Sequence, residues 1–364
     1  MDSKYKQSQK KKKTRVFIRC VFLKIFQVDT VNEYYNAEIF LQAKWREPIL
    51  DNKLETKNID LSKFWNPRLV IENLFKENNE TVLLEVSYVE KEGVAFVVQK
   101  RRVKAIFHET LELNQFPFDC QDLSVTVSSE YSSDEVELVE FPTDISKLNS
   151  SDAVESQEWD LHSHVDVEIK RIITDCNIGP KERTSITFTC RAGRRFGYFL
   201  VNHFLISCMF FFLTFCSFSV ISSNTFGRLQ LCMITLLTSV TFKVAVSNNL
   251  PKVPYLTYLD KAILGNIFMI MCLCLWHAAT SVYFYDSTTL QSINDSIAIE
   301  KVKQVEKYLI PALLIFYVTA VVVFALVIYF DAGSRRREMH LKDIEFEQKI
   351  KRLKNEERFC DLPY

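Results

Sequence analysis

Glycine and proline are scarce, at 7 and 9 of 364 residues, which excludes collagen-like and low-complexity chains. Charge of one sign is lacking as well. The 45 basic and 45 acidic side chains cancel, so nothing in the balance attracts nucleic acid, which asks for a basic domain. No glycine-rich loop offers backbone amides to a phosphate, and no Ser/His/Asp or Cys/His grouping stands at usable spacing for nucleophilic catalysis. The cysteines at 20, 120, 176, 190, 208, 216, 232, 272, 274 and 360 include no zinc-type pair. Cys272 and Cys274 lie two apart in an apolar run and cannot share a helix face. Cys176 and Cys190 flank a plausible hairpin, where a disulfide and two free thiols are both open readings. His162, His164 and Asp166 alternate along one strand face, which reads as an exposed polar face before it reads as a Zn²⁺ site. No enzyme activity, metal or cofactor is expected.

What the chain has in quantity is apolar side chains, 48% of the total with 29 Phe, unevenly distributed. Residues 196–227, 262–285 and 308–330 contain no Asp, Glu, Lys or Arg, and each reaches the ~20 apolar residues that cross a hydrocarbon core. Four membrane helices are expected, over about 197–220, 225–246, 261–284 and 308–330, making a bundle domain at 194–331. The second is interrupted by Gln230, Thr235, Thr238, Ser239, Thr241 and Lys243, and a span that polar should not face lipid. Residues 1–15 form a basic arm, and the run after it is broken by Arg19 and Lys24, a poor signal core. From 16 to 193, short runs rich in Val, Ile, Phe and Thr recur between turn signals, the pattern of an all-β, immunoglobulin-like sandwich. The charged tail, 332–364, carries Phe346, Ile350 and Leu353 at the spacing of an amphipathic helix.

The sharpest local signal is Phe116-Pro117-Phe118-Asp119-Cys120-Gln121. In this setting it resembles the signature loop of the pentameric ligand-gated ion channels, the Cys-loop receptor superfamily. Further motifs follow in the family's order: Trp45-Arg46-Glu47; Trp65-Asn66-Pro67 with Asn73; Glu158-Trp159-Asp160-Leu161; Arg194 with Gly197-Tyr198-Phe199; and Leu250-Pro251-Lys252-Val253-Pro254-Tyr255 with Asp260. The departures are specific too. The cysteines that bracket the loop in animal receptors fall on Glu109 and Leu123, so that disulfide cannot form. Arg68 replaces an acid. Ile206 replaces the proline of the first helix, so the loosened turn a proline supplies is expected to be missing. The short connection at about 286–307 looks prokaryotic.

The resemblance implies a homopentamer or heteropentamer in membrane lipid, opened by a small-molecule or ionic agonist bound between sandwiches. At helical spacing, one face of the second span carries Gln230, Ile234, Leu237, Thr241 and Val244. Five such faces would make polar rings around an apolar girdle at Ile234 and Leu237, which can close a pore by dewetting. The alternative is a bundle helix whose hydroxyls bond back to their own carbonyls. No acid stands beside Arg228, where cation channels of the family carry Glu; Gly227 and Phe226 stand there instead. The missing acid inclines the reading toward anions, and Phe226 could narrow the mouth or silence it. Agonist positions by motif spacing are Phe40, Glu72, Glu130 and Tyr131, with acids at two positions where amine receptors use aromatics. Coupling candidates are Asp29, Asp119, Arg194, Pro251 and Pro254, with Asp119 and Arg194 as a shielded ion pair. A non-conducting binding or assembly subunit of the same fold is the competing reading.

An even number of spans puts both ends on one side. The basic arm and the Arg335–Arg337 cluster pull both toward the cytosol. The resemblance, with acceptor patterns at Asn79-Glu80-Thr81 and Asn149-Ser150-Ser151, places the sandwich outside the plasma membrane. The outside placement is the working expectation, with the inverse orientation kept open.

Overall fold

A computed structural model describes residues 13–51, 61–89, 94–142, 144–149, 158–176, 179–248, 250, 252–287 and 293–360. The chain divides into two compact units. One comprises Met1–Leu111, Cys120–Gly193 and Glu338–Tyr364, the other Glu112–Asp119 and Arg194–Arg337. The division departs from the sequence boundaries twice. Residues Glu112–Asp119, with the first four residues of the signature loop, belong with the helices, and the tail expected to stand apart belongs, from Glu338, with the strands.

The first unit is a two-sheet sandwich. Its strands are β1 (Thr14–Asp29), β2 (Tyr34–Arg46), β3 (Leu69–Ile71), β4 (Leu74–Val89), β5 (Val94–His108), β6 (Cys120–Ser129), β7 (Val136–Glu140), β8 (Lys147–Leu148), β9 (Trp159–Cys176) and β10 (Gly179–Arg194). One sheet runs β4-β5-β2-β1-β7 with β8 beside β1, the other β3-β6-β10-β9. Strand β2 shows why the sequence folds this way: Tyr35, Ala37, Ile39, Leu41, Ala43 and Trp45 are all buried and alternate with Asn36, Glu38, Phe40, Gln42 and Lys44, polar but for Phe40. Leu123, Val125 and Val127 of β6 and Ile186, Phe188 and Cys190 of β10 belong to the same core, each large apolar side chain worth roughly 1.5–3 kcal/mol of transfer free energy. Cys190 is a free, buried thiol, which removes the disulfide reading for the 176/190 pair.

The second unit holds the helices, of which four stretches are long and apolar enough to cross a membrane. Helix α1 (Gly197–Ser219) contains a π-helical turn at Leu200–Leu205, directly before Ile206. The loosened turn expected to be missing is therefore present without a proline; a π turn also breaks the regular ladder. Helices α2 (Thr225–Ser247) and α3 (Tyr258–Ser287) follow. Helix α4 (Ile293–Cys360) is a single helix of 68 residues, so the fourth span and the tail are one element.

Candidate functional site

The backbone passes between units on both sides of one ladder step, since Cys120 pairs with Gly193 where β6 meets β10. The residues just across that boundary, Asp119 and Arg194, are clamped together. Arg194 donates from Nε to Asp119 Oδ1 at 2.9 Å and from Nη2 to Oδ2 at 3.2 Å, and its backbone N–H reaches the Asp119 carbonyl at 3.0 Å. The side chains are only 4% and 2% exposed, and the guanidinium lies over the Phe116 ring at 4.8 Å. Bidentate geometry with an aromatic roof is the arrangement arginine suits and lysine does not. Arg336 of α4 then donates to the carbonyls of Arg194 at 2.6 Å and Phe118 at 3.3 Å. The sequence marked Arg336 only as part of the basic cluster at 335–337, not as a partner of this loop.

The rest of the signature loop packs on the helix-unit linker. Leu113 and Phe116, the latter ahead of a cis peptide to Pro117, cluster with Val246, Leu259 and Ile263. The Leu113 N–H donates to Tyr255 Oη at 3.1 Å. Tyr255, not its neighbour Pro254, carries this contact; Pro254 is exposed and Pro251 lies outside the described residues. Gln115 donates to Asp331 at 3.1 Å, and Tyr258 donates to the same carboxylate. Asp29, in the sandwich unit, caps its own turn by accepting from the Val31 and Asn32 amides at 2.9 and 3.0 Å. Burial pushes its carboxyl up, but these bonds and the Asn32 amide outweigh it and hold it below the ordinary value.

The absent disulfide has a polar counterpart. Glu109, where the family's first bracketing cysteine falls, accepts from Ser124 N at 2.9 Å and Ser124 Oγ at 2.5 Å. Ser124 immediately follows Leu123, the second bracketing position, so the loop's two ends are closed by hydrogen bonds. Burial raises the Glu109 carboxyl above its ordinary value, and the bonds from Ser124 only partly offset this. A raised folded-state pKa means that the folded chain holds this proton more tightly than the unfolded chain does. Its contribution is fully present below the ordinary glutamate range and is lost as pH rises through the raised value. Melting temperature is therefore expected to fall over that interval, and Glu109→Gln to flatten the fall. An unchanged profile in the variant would remove Glu109 from the effect.

Helix α2 has two faces. Arg228, Cys232, Thr235, Ser239 and Val246 are buried, whereas Ile234, Leu237 and Val244 are 55%, 66% and 55% exposed. Gln230 and Thr241 are exposed on that same outer side. The hydroxyls also do what the alternative reading proposed: Thr235, Thr238, Ser239 and Thr241 all bond back to carbonyls of their own helix, at 2.6–2.9 Å. The back-bonding does not separate the two readings, because a back-bonded hydroxyl still presents an oxygen to whatever faces it. At the start of the helix Asn224 caps the Gly227 amide at 3.1 Å. A Cβ on Gly227 would lie 2.9 Å from the Asn224 amide nitrogen, so an acid there would dislodge the cap. Arg228 turns away from the exposed face. It donates to both oxygens of Glu306 on α4, to Ser222 Oγ at 3.1 Å and to the Val220 carbonyl at 2.9 Å. Glu306 is the second partner that sequence reasoning missed.

The agonist positions scatter over the sandwich. Tyr131 stacks on Trp65 at 5.8 Å, and both line a cavity of about 580 Å³ with Arg68, Gln99 and Arg101. Phe40, Glu72 and Glu130 do not line it. Glu130 pairs with Arg68 at 3.5 Å, and Glu72 accepts from Ser128 Oγ. Both acids are exposed. Arg68, which stands where the family carries an acid, has a φ of 45°, a left-handed conformation uncommon outside glycine. His162 and His164 come together with Asp343 of α4, not with Asp166. His164 is buried, which corrects the reading of that strand face as exposed.

Residues 2–196 match the neurotransmitter-gated ion-channel ligand binding domain. The chain belongs to that family, and with four helices long and apolar enough to cross a membrane it is an integral membrane protein. Among similar proteins are gamma-aminobutyric acid receptor subunits alpha-2 of Bos taurus and Homo sapiens, each 25% identical over 68% of this chain and 55% of the relative. A proton-gated ion channel of Gloeobacter violaceus is 21% identical over 65% of this chain and 64% of that protein. The matches thus span little more than half the length of the receptor subunits.

Proposed function

We propose that the chain is a subunit of a pentameric ligand-gated ion channel, with the agonist bound between sandwiches and the pore lined by Gln230, Ile234, Leu237, Thr241 and Val244 of α2. The outer face of α2 carries this reading. Its polar side chains at 230 and 241 are left uncovered by the subunit's own helices, and an uncovered amide or hydroxyl at membrane depth needs water or a neighbouring subunit rather than lipid. The clamp of Asp119 on Arg194 supports the coupling role of both residues. The agonist is a small molecule or an ion, and the named relatives sense one of each kind. With Arg228 tied to Glu306 and no acid at 227, the mouth offers no free acidic ring, which favours anions over cations.

The test is current recording from reconstituted protein. Leu237→Ser should wet the girdle and raise basal current or agonist sensitivity, and the reversal potential should follow chloride. Phe226, 76% exposed at the mouth, favours the second reading, a non-conducting subunit. Pentamers that never pass current, in wild type or Leu237→Ser, would establish that one. The sandwich is placed outside the plasma membrane, and Asn79, exposed on β4, is available for a glycan. A tag fused after Tyr364 should be reachable on intact cells; access only after permeabilisation would invert the placement.

A further inference from the structure

Strand β9 is the edge of its sheet, and an edge strand presents backbone N–H groups with no ladder partner. Here one of them is taken by the tail. The His164 N–H donates to Asp343 Oδ1 at 3.1 Å, Ser163 Oγ donates to the same oxygen at 3.1 Å, and His164 Nδ1 lies 2.6 Å from it. His162 Nδ1 lies 2.7 Å from Oδ2. A single carboxylate therefore collects donors from three successive residues, with the imidazoles only 18% and 3% exposed.

The approaching helix face is built for this contact. Met339, Asp343, Phe346, Ile350 and Leu353 fall at alternating four- and three-residue steps and are buried or half-buried, as is Lys342 beside Asp343, while Leu341, Ile344, Glu345 and Glu347 are exposed. An acid inside an apolar stripe at this spacing costs stability unless it is met, and where it is met it fixes the register of docking.

Among the described residues, His162, His164 and Asp343 form a group whose donor atoms lie close enough to hold a metal ion. The surroundings argue against one. Arg191 Nη1 sits 3.2 Å from His164 Nε2 and also pairs with Asp166, with its Nε on Asp122 at 2.9 Å. The guanidinium makes His164 Nε2 an acceptor, which leaves the proton on Nδ1 facing Asp343. A metal on Nδ1 would move that proton to Nε2, donor against donor, beside an existing cation.

We propose that His162-Ser163-His164 is a carboxylate receptor on the edge of the sandwich, that its ligand is Asp343 of the same chain, and that this clasp makes the tail helix a removable cover of strand β9. The cover would restrain the β9–β10 hairpin, so its release shifts agonist sensitivity. That last clause rests on the channel reading, whereas the docking itself does not.

Limited trypsin digestion of the full-length, detergent-purified protein separates the two. Lys349, Lys351 and Arg352 lie on the docked helix, and Asp343→Ala should speed cleavage there at least tenfold with the oligomer unchanged by size-exclusion chromatography. His162→Ala combined with His164→Ala, which leaves the tail sequence intact, should do the same from the other side. EDTA should leave wild-type protection untouched. Equal cleavage of wild type and both variants would overturn the clasp, as would loss of protection in EDTA or stoichiometric zinc in the purified protein. Faster cleavage with unaltered agonist sensitivity would retain the docking surface and discard its link to gating.

Discussion

Arg194→Ala is expected to leave a nearly inaccessible carboxylate without its cation, and the protein to lose surface assembly or agonist response. Removing one partner of a buried pair costs about 3–5 kcal/mol, because the remaining charge is stranded in a poor solvent. Asp119 and Arg194 are 2% and 4% exposed, which places them in that regime and outside the range of surface pairs worth ~0–1 kcal/mol. Arg194→Lys should recover little, since an ammonium cannot reproduce the bidentate contact or the stacking on Phe116. Surface labelling alongside current distinguishes lost assembly from lost coupling. Full activity in both Arg194→Ala and Asp119→Ala would remove the pair from the mechanism.

The second large effect is expected at the other end of the bundle. Glu306→Ala strips Arg228 of its carboxylate while leaving the guanidinium 2% exposed among helices. The cost is again about 3–5 kcal/mol, the penalty of an uncompensated buried charge, and the readout is loss of oligomer on heating in detergent. Replacing both members by apolar residues, Arg228→Met with Glu306→Leu, should restore much of the stability. A Glu306→Ala protein as heat-resistant as wild type would show that the pair contributes no net stability.

Much of the architecture was legible because it is written in local periods. The buried positions of strand β2 alternate without a break, and three of the four candidate membrane spans announce themselves as charge-free runs. Asp119 with Arg194 was legible through motif order. What stayed hidden are polar pairs between distant positions: Arg228 with Glu306 is 78 residues apart and His164 with Asp343 is 179. No periodicity links such partners, because the fold alone brings them together. The Glu109–Ser124 closure was hidden for a different reason. Losing a cysteine pair reads as a missing bond, and only the side-chain geometry reveals what took its place. The continuity of α4 was missed because the change from apolar to charged residues after Phe330 looks like a boundary. Hydropathy changes there, but helix propensity does not, and no proline stands between Pro311 and Pro363 to stop the helix.

The most direct measurement is chemical accessibility along α2 during current recording. Cysteines introduced singly at Ile234, Leu237 and Thr241 should react with a water-soluble thiol reagent applied to open channels and change the current. Cysteines at Thr235 and Ser239, on the buried face, should leave it unchanged. Reaction confined to 235 and 239, or current indifferent to modification at 234, 237 and 241, would contradict the claim that this face of α2 lines the pore.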